Sequence, residues 1–410
     1  MNPLDGAAGV RGLRVADHAL LDDQAAMDAA DPGRMLRATA SAGAQVRESA
    51  SLAAEADFRP LADEGRPRAV VVAGVGTAAR TGDVLATVAG PRCPVPVLSH
   101  RIAGIPGWVN AADVVIAVSA SGRSPEALAA AEAAARRGAR LVAIGAPDTE
   151  LQAVAERARA TFVPVPRRAP ARASFWALTV PVLVAGRALG LVKITEADLA
   201  ETAVRLDTDA ERCRPGLESF VNPGKTLALD LAGSIPILWG SSPLATVAAR
   251  RFADTLAANA RYPAVAGGLG EAGRGRVGLL DGVYGALSEA ERDIFADPED
   301  SDVAETRLRL VLLRDGGLRE TDPAADGLAA DDDADEPASV EERRADAVRH
   351  IAEQRGVRVS VVEAEGASAL ERLASLLAVP DFASIYLGLA HGLDPMAVPA
   401  ISELKELTNS

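Results

Sequence analysis

The segment AVVVAGVGTAARTGDVLATVAG, residues 69–90, predicts the fold of this 410-residue chain. It begins with an uninterrupted run of valines, continues through a turn that contains Gly74 and Gly76, and then becomes an alanine-rich, helix-like stretch. An apolar run without polar alternation is typical of a strand buried on both faces, as the strands of parallel sheets are. The segment therefore predicts a strand, a tight turn and a helix, the repeating unit of an α/β fold.

The same alternation continues along the first half of the chain. Strands are predicted at residues 69–74, 94–99, 113–119, 140–145 and 161–166, with helices between them at residues 77–89, 125–138 and 148–158. Strands that alternate with helices indicate a parallel sheet covered by helices on both faces. We therefore expect a three-layer α/β/α, flavodoxin-like arrangement.

A second copy of the pattern follows a helical region at residues 172–217. The segment SIPILWGSSPLATVAARRFADTLAA, residues 234–258, again has the outline of a strand, a glycine turn and a helix. Further strand-like runs lie at residues 262–268, 306–315 and 357–364. These repeats predict two pseudo-duplicated α/β subdomains. The expected divisions are an N-terminal extension (1–34), a first subdomain (35–190), a helical connection (191–233) and a second subdomain (234–410).

One segment of the second subdomain breaks the pattern. Residues 320–342, ETDPAADGLAADDDADEPASVEE, are acidic and contain almost no large apolar side chains. Such a composition cannot bury enough apolar surface to offset the entropy lost on ordering, so a flexible loop is predicted.

Composition excludes several classes of function. The net charge of −14 repels the phosphates of nucleic acids and of anionic lipids, so neither nucleic acid nor a membrane is an expected partner. The apolar segment at residues 175–186 is too short to span a bilayer, and the N-terminus lacks the apolar core of a signal peptide. Cys93 and Cys213 form no disulfide or metal-ligand motif. We therefore expect a cytoplasmic protein.

The segment VIAVSASGRSPEAL, residues 115–128, is the first candidate binding site. Ser119, Ser121 and Ser124 lie between a predicted strand and a predicted helix, and Gly122 allows close backbone approach to a ligand. Ser124 is positioned to cap the helix, but capping accounts for one serine of the three. Because a helix N-terminus attracts anions, the loop predicts a phosphate site. The turn of the first strand adds Gly76 and Thr77 in a similar position.

The first turn also fits a second interpretation. GVGTAA matches the G-x-G-x-x-A pattern of dinucleotide-binding folds, which alone is a weak signal. Such folds place an acidic residue at the end of the second strand to bind the ribose, but this chain has Ser99, His100 and Arg101 there. Arg101 suits the 2′-phosphate of NADP, yet the serine-rich loop has no role in that scheme.

The combined motifs resemble a known family. VSASGRSPEAL and AGVGTAAR are similar to the serine-rich and glycine-rich loops of sugar isomerase (SIS) domains, and the resemblance extends to the bifunctional phosphoglucose/phosphomannose isomerases. It covers most of the chain after about residue 35. The further segments that carry it are APARASFW (169–176), VNPGKTLALDLAG (221–233), VAARRFADTLAANARYPAVAG (247–267) and DFASIYLGLAHGLDPMAVPAISELKE (381–406).

The resemblance implies an aldose–ketose isomerase that acts on a sugar 6-phosphate through a cis-enediol, without a metal or a cofactor. Ser119, Ser121 and Ser124, together with Gly76, Gly122 and Thr77, are then the phosphate-binding residues. Arg172 is placed beside the developing enediolate, and Lys405 assists ring opening. His100, at the end of the second strand, is the histidine to consider for ring opening. The family also implies a homodimer, with active sites at the interface.

One block departs from the family pattern. The family has L-P-E-x-x-H-N-E where this chain has LGEAGRGR, residues 269–276. Glu271 matches the first glutamate and is the candidate base, but Arg276 replaces the second, and a guanidinium cannot accept a proton at neutral pH. An alternative is therefore a protein that binds a phosphosugar without turnover, as a sensor or a partner subunit.

Overall fold

The computed structural model describes residues 15–289, 307–316 and 339–409. It begins with short helices that precede the first sheet. After a 3₁₀ turn at Ala19–Asp22, these are α1 (Gln24–Ala30), α2 (Met35–Ala40), α3 (Ala42–Glu55) and α4 (Arg59–Asp63). The Asp31 carboxylate accepts the N–H groups of Met35 and Leu36 at the start of α2. Leu21 and Met27 are fully buried, so residues 15–34 contribute to the core. The subdomain boundaries proposed above stay predictions.

The first sheet has five parallel strands in the order β2-β1-β3-β4-β5. The apolar runs form strands because both of their faces are covered, and every residue of β1 and β3 is buried. The elements are β1 (Val70–Ala73), α5 (Thr77–Ala89), β2 (Val97–His100), β3 (Val114–Ser119), α6 (Pro125–Arg136), β4 (Arg140–Gly145), α7 (Glu150–Ala158) and β5 (Thr161–Pro164). The predicted strands and the flavodoxin-like strand order are confirmed.

The helical region between the sheets is also confirmed. It contains a 3₁₀ turn at Ala171–Ala173, followed by α8 (Phe175–Ala188), α9 (Glu196–Arg212) and α10 (Pro223–Leu231). Thr195 and Asp198 form a capping box at the start of α9, and Asn222 caps α10.

The second sheet has four parallel strands in the order β7-β6-β8-β9, which repeats the β2-β1-β3-β4 order of the first. The elements are β6 (Ser234–Gly240), α11 (Pro243–Thr255), a π-helical turn (Leu256–Ala260), β7 (Val265–Gly268), α12 (Leu269–Ala272), 3₁₀ turns at Arg276–Asp281 and Ala286–Glu289, β8 (Arg307–Arg314), α13 (Val340–Gln354), β9 (Arg358–Glu363), α14 (Ala369–Ala390) and α15 (Pro399–Asn409). The predicted pseudo-duplication is confirmed.

Two details differ from the sequence-based expectations. Most of the acidic segment, residues 320–338, lies outside the described residues. For its last residues the prediction of a flexible loop is wrong, because Ser339 caps α13 in a capping box with Glu342. Acidic residues at 341 and 342 suit the first helical turn, where the helix dipole favours negative charge. In addition, α14 is long and apolar enough to cross a membrane, yet 89% of its most apolar 18-residue segment is buried inside the protein. Packing in the core therefore accounts for its composition.

Candidate active site

The serine-rich loop lies directly after β3. The Ser119 hydroxyl is 3.4 Å from that of Ser121 and accepts the N–H of Ser124 at 3.3 Å. Gly122 has a positive φ of 68°, and a Cβ there would lie 2.0 Å from Oγ1 of Thr149. A side chain at residue 122 would therefore disrupt the loop. The structure thus brings the predicted serines together in one tight turn at the end of a buried strand.

Ser124 differs from the expectation that it caps α6. It occupies the N-cap position, but its side chain forms no capping hydrogen bond. The hydroxyl instead donates to the Glu126 carboxylate at 2.7 Å. Ser124 must therefore leave Glu126 before its hydroxyl can donate to an anion.

The glycine-rich turn after β1 packs against the serine-rich loop. A Cβ on Gly74 would lie 2.8 Å from the carbonyl oxygen of Val118, so glycine allows the two segments to approach closely. Gly76 has a φ of 58° and open space where a side chain would be. Thr77 is the first residue of α5 and is half-buried. Both turns thus contribute to one site at the carboxyl edge of the first sheet.

His100 lies at the same edge. It ends β2, where it pairs with Ala73 in register, and its carbonyl accepts the N–H of Gly74 at 3.0 Å. Its Nε2 is buried and has no hydrogen-bond partner among the described residues. The neighbouring Arg101 pairs with Asp83 at 2.5 Å, so the residue considered for a 2′-phosphate already binds a carboxylate.

Arg172 is held by the segment that follows α14. Its guanidinium donates to the carbonyls of Pro395 and Met396. Burial, reinforced by the nearby charge of Arg261, lowers the pKa of Arg172 from its usual value. Its Nε–H is buried and has no hydrogen-bond partner among the described residues. Arg172 follows β5, two strands from β3, which corresponds to about 10 Å across the sheet.

Sequence reasoning missed the residues that support Arg172. Arg251 is 4% exposed, donates to the Arg172 carbonyl at 3.2 Å and stacks on the Phe175 ring at 4.3 Å. It also pairs with Asp381 at 2.7 Å. The sequence signal for this pair was an arginine and an aspartate, Arg251 and Asp381, within the otherwise apolar helices α11 and α14, because charges are rarely buried unless they are paired.

Glu271 lies apart from the serine-rich loop. It is exposed on α12, and its carboxylate is 3.9 Å from Arg276. It lines a cavity of about 490 Å³ with residues that include Asp83 and Thr87 of α5, but none of the predicted phosphate-binding residues lines that cavity. Thr87 lies about 15 Å along α5 from Thr77. Lys405 lies on α15, but its side chain is outside the described part of the structure.

The equivalent loop of the second sheet, Gly240 to Ser242, is already occupied by a side chain. Ser242 donates to the Asp315 carboxylate at 2.8 Å, and the N–H of Asp315 donates to the Ser241 hydroxyl at 2.8 Å. Asp315 also pairs with Arg372 at 2.8 Å. The Asp315 carboxylate thus engages the Ser242 hydroxyl, and the backbone N–H of Asp315 engages the Ser241 hydroxyl. Of the two related turns, the one after β1 is therefore better suited to bind an anion.

The described residues contain no group of three or more His, Cys, Asp or Glu side chains that could hold a metal ion. The arrangement at the first sheet instead offers hydroxyls, backbone N–H groups near helix starts and a fixed guanidinium. Such groups bind phosphate and stabilise a developing oxyanion.

Comparisons with known proteins show which sequences this chain is similar to. Residues 220–407 match the bacterial phospho-glucose isomerase C-terminal SIS domain. A bifunctional phosphoglucose/phosphomannose isomerase of Caldicellulosiruptor bescii is 25% identical over 341 residues, which cover 82% of this chain and 88% of the relative.

Solved structures share the fold. A hypothetical protein from Thermus thermophilus superimposes with a TM-score of 0.62 at 16% identity, covering 92% of this chain and 90% of that one. The tagatose-6-phosphate ketose/aldose isomerase of Escherichia coli gives a TM-score of 0.58 at 14% identity, covering 89% and 93%. Residues 220–407 thus match an SIS domain, and the chain as a whole is similar to the bifunctional phosphoglucose/phosphomannose isomerases.

Proposed function

We propose that the protein is an aldose–ketose isomerase that converts fructose 6-phosphate to glucose 6-phosphate or mannose 6-phosphate. The observation that carries the proposal is the pair of packed turns at the first sheet, where the hydroxyls of Ser119 and Ser121 lie 3.4 Å apart beside Gly122. In the second sheet, the hydroxyls of the turn after β6, Ser241 and Ser242, instead form hydrogen bonds with Asp315. The serine-rich loop is the proposed phosphate site.

In the proposed reaction, the base removes a proton from C1 of open-chain fructose 6-phosphate while the carbonyl oxygen at C2 takes up a proton, which gives a cis-enediol intermediate. The C1 hydroxyl then gives up its proton and becomes the new carbonyl, while the base returns its proton to C2. Arg172 is proposed to stabilise the developing negative charge, because its guanidinium is fixed by the carbonyls of Pro395 and Met396. A fixed cation of this kind lowers the barrier without reorganising during the reaction.

Glu271 is the proposed base. The carboxylate is exposed and lies 3.9 Å from the Arg276 guanidinium, in a different cavity from the serine-rich loop. Arg276 itself cannot accept a proton. We also propose that the protein works as a cytoplasmic homodimer, as the family resemblance implies. Light scattering that gave the mass of a single chain would contradict the dimer.

The test is to incubate the purified full-length chain with fructose 6-phosphate and to measure glucose 6-phosphate and mannose 6-phosphate. Arg172→Ala and Glu271→Gln should each lower turnover by about 100-fold or more, while Arg157→Ala, on the exposed end of α7, should leave it unchanged. Arg276→Glu should raise turnover, because it adds a second carboxylate.

Two outcomes would count against the proposal. Binding of fructose 6-phosphate without conversion contradicts the catalytic part, and the absence of binding contradicts the phosphate site as well. A thermal-shift titration with the same sugar phosphate separates these two results.

A further inference from the structure

A second cationic surface lies at the end of β5, outside the serine-rich loop. It is a cavity of about 430 Å³ between α2, α3 and the segment after β5, and four of its lining residues are Arg34, Arg37, Arg167 and Arg168. We call it the arginine groove, and we propose that it is a binding site for a small polyanion that carries phosphoryl or carboxylate groups. The proposal does not depend on the isomerase activity.

The charge balance of the arginine groove supports this assignment. Glu48 is the one acidic residue that lines it, and Arg168 binds that carboxylate through two nitrogens, at 2.8 and 2.6 Å. Arg34, Arg37 and Arg167 form no ion pair within residues 15–289, 307–316 and 339–409. The groove therefore holds three arginines without an ion pair in a chain whose net charge is −14. A local concentration of positive charge on an acidic protein attracts anions selectively to that place.

A neighbouring cavity provides a comparison within the same molecule. Arg34 and Arg37 also line a larger cavity of about 760 Å³. Its acidic lining residues, however, outnumber its arginines: they are Asp28, Asp31, Asp207 and Glu211, against Arg34, Arg37 and Arg214. The acidic residues repel a second anion, so the smaller arginine groove is the better site for a polyanion.

The position of the groove is also suited to ligand binding. It includes Val165 and Pro166, directly after β5, and ligands of open parallel sheets bind outside the carboxyl ends of the strands. Arg34 adopts a left-handed backbone with a φ of 55°, which is uncommon for a residue other than glycine. Its side chain is exposed, and residues with strained backbones cluster at ligand sites.

The groove is distinct from the proposed phosphate site. The serine-rich loop leads into α6, which packs on one face of the first sheet with Val115 and Ala117. The groove lies with α3 and α8 on the other face, where Val72 and Ile116 are buried. Met396 lines the groove, and its carbonyl accepts a hydrogen bond from Arg172. A ligand in the groove would therefore lie next to the backbone segment that positions Arg172.

The test uses the full-length chain and two probes, pyrophosphate for phosphoryl groups and citrate for carboxylates, titrated by calorimetry at constant ionic strength. The double variant Arg37→Glu/Arg167→Glu should weaken binding of at least one probe tenfold or more. Arg157→Glu is the matched control, since Arg157 is exposed and also has no ion pair among the described residues. Ser121→Ala should weaken binding of that probe less than the double variant does, because the serine-rich loop is a separate site.

Each result decides the proposal. Loss of probe binding in Ser121→Ala but not in the double arginine variant would assign the probe to the serine-rich loop and overturn the groove. Equal affinities in all variants, or no binding of either probe at millimolar concentration, would also overturn it. Which probe binds more tightly identifies the preferred anionic group. Because fructose 6-phosphate turnover is not measured, failure here leaves the proposed function unaffected.

Discussion

Ser121 is the residue whose substitution tests the phosphate site most directly. Its hydroxyl is half-buried, lies 3.4 Å from that of Ser119 and accepts the N–H of Arg123 at 3.2 Å. A hydrogen bond to a charged group contributes about 1.5–3 kcal/mol, so Ser121→Ala should weaken fructose 6-phosphate binding by about tenfold or more. Calorimetric titration measures the change.

The control for Ser121→Ala is Thr208→Ala. Thr208 is an exposed hydroxyl on α9 that bonds only its own helix, through the Val204 carbonyl. Its removal should not alter sugar-phosphate affinity. Both variants should melt within about 2 °C of the wild type, because neither creates a core cavity. Unchanged affinity in Ser121→Ala would show that the phosphate binds elsewhere.

At the scale of single residues, the sequence predicted positions better than contacts. Ser119, Ser121 and Gly122 lie together because neighbours in the chain must share the same turn. The Ser124–Glu126 hydrogen bond and the support of Arg172 by Arg251 depend on side-chain orientation and on distant segments, which one sequence does not specify. Glu271 matched a motif, but the fold places it in a different cavity from the serines.

At the scale of elements, the start of β1 is tied to the start of β3 by a charged pair. The Arg68 guanidinium donates to both carboxylate oxygens of Asp113, at 2.9 and 2.6 Å. Burial alone raises the pKa of Asp113, but hydrogen bonds from Arg68 and from the N–H of Asn110 outweigh it, so the pKa lies below its usual value of 3.8. The ionised carboxylate therefore stabilises the folded state.

The variant Asp113→Asn should test this link. A carboxyl with a lowered folded-state pKa stabilises the protein above the unfolded pKa and loses that contribution as pH falls through the folded pKa. We therefore expect the variant to be about 1 kcal/mol less stable at pH 7, and the difference from wild type to shrink below pH 3.8. Urea unfolding from pH 7 to pH 3 measures both.

A matched control is Asp57→Asn. Asp57 pairs with Arg59, and hydrogen bonds from Arg59 lower its pKa to about 2, but the pair is exposed to solvent. Solvent screens such pairs, so this variant should have the stability of the wild type at pH 7. A stability difference between Asp113→Asn and the wild type that did not change with pH would contradict the electrostatic explanation.

The strands could be predicted from sequence because runs such as Val70–Ala73 are apolar on both faces, which only a covered sheet allows. The N-terminal helices α2, α3 and α4 were not predicted individually. The short α2 and α4 become ordered by packing and by caps such as Asp31, which tertiary structure supplies. The long helix α14 was not predicted either. Its interior Pro380 is a common signal for a helix end, which conceals a continuous helix in the sequence.

At the scale of the whole molecule, the two halves share one core. A single cluster of buried side chains includes Val84 and Leu85 of α5, Phe252 of α11 and Val311 of β8. At the surface of this contact, Arg80 of α5 pairs with Asp254 of α11 at 2.7 Å. The duplication was visible in sequence as two strand–glycine–helix repeats. The contact between the repeats joins residues far apart in the chain, so it required the structure.

Because the core is continuous, we expect both halves to unfold in one cooperative transition. Trp176 of α8 and Trp239 of β6 are buried in different halves and can report on each separately. Variants that keep one of these tryptophans, with Trp108 replaced by Phe, should show the same urea midpoint by fluorescence. Phe252→Leu should lower both midpoints together, by about 1 kcal/mol in free energy of unfolding. A midpoint that moved for Trp239 alone would show that the second half unfolds independently, and that the shared core does not couple them.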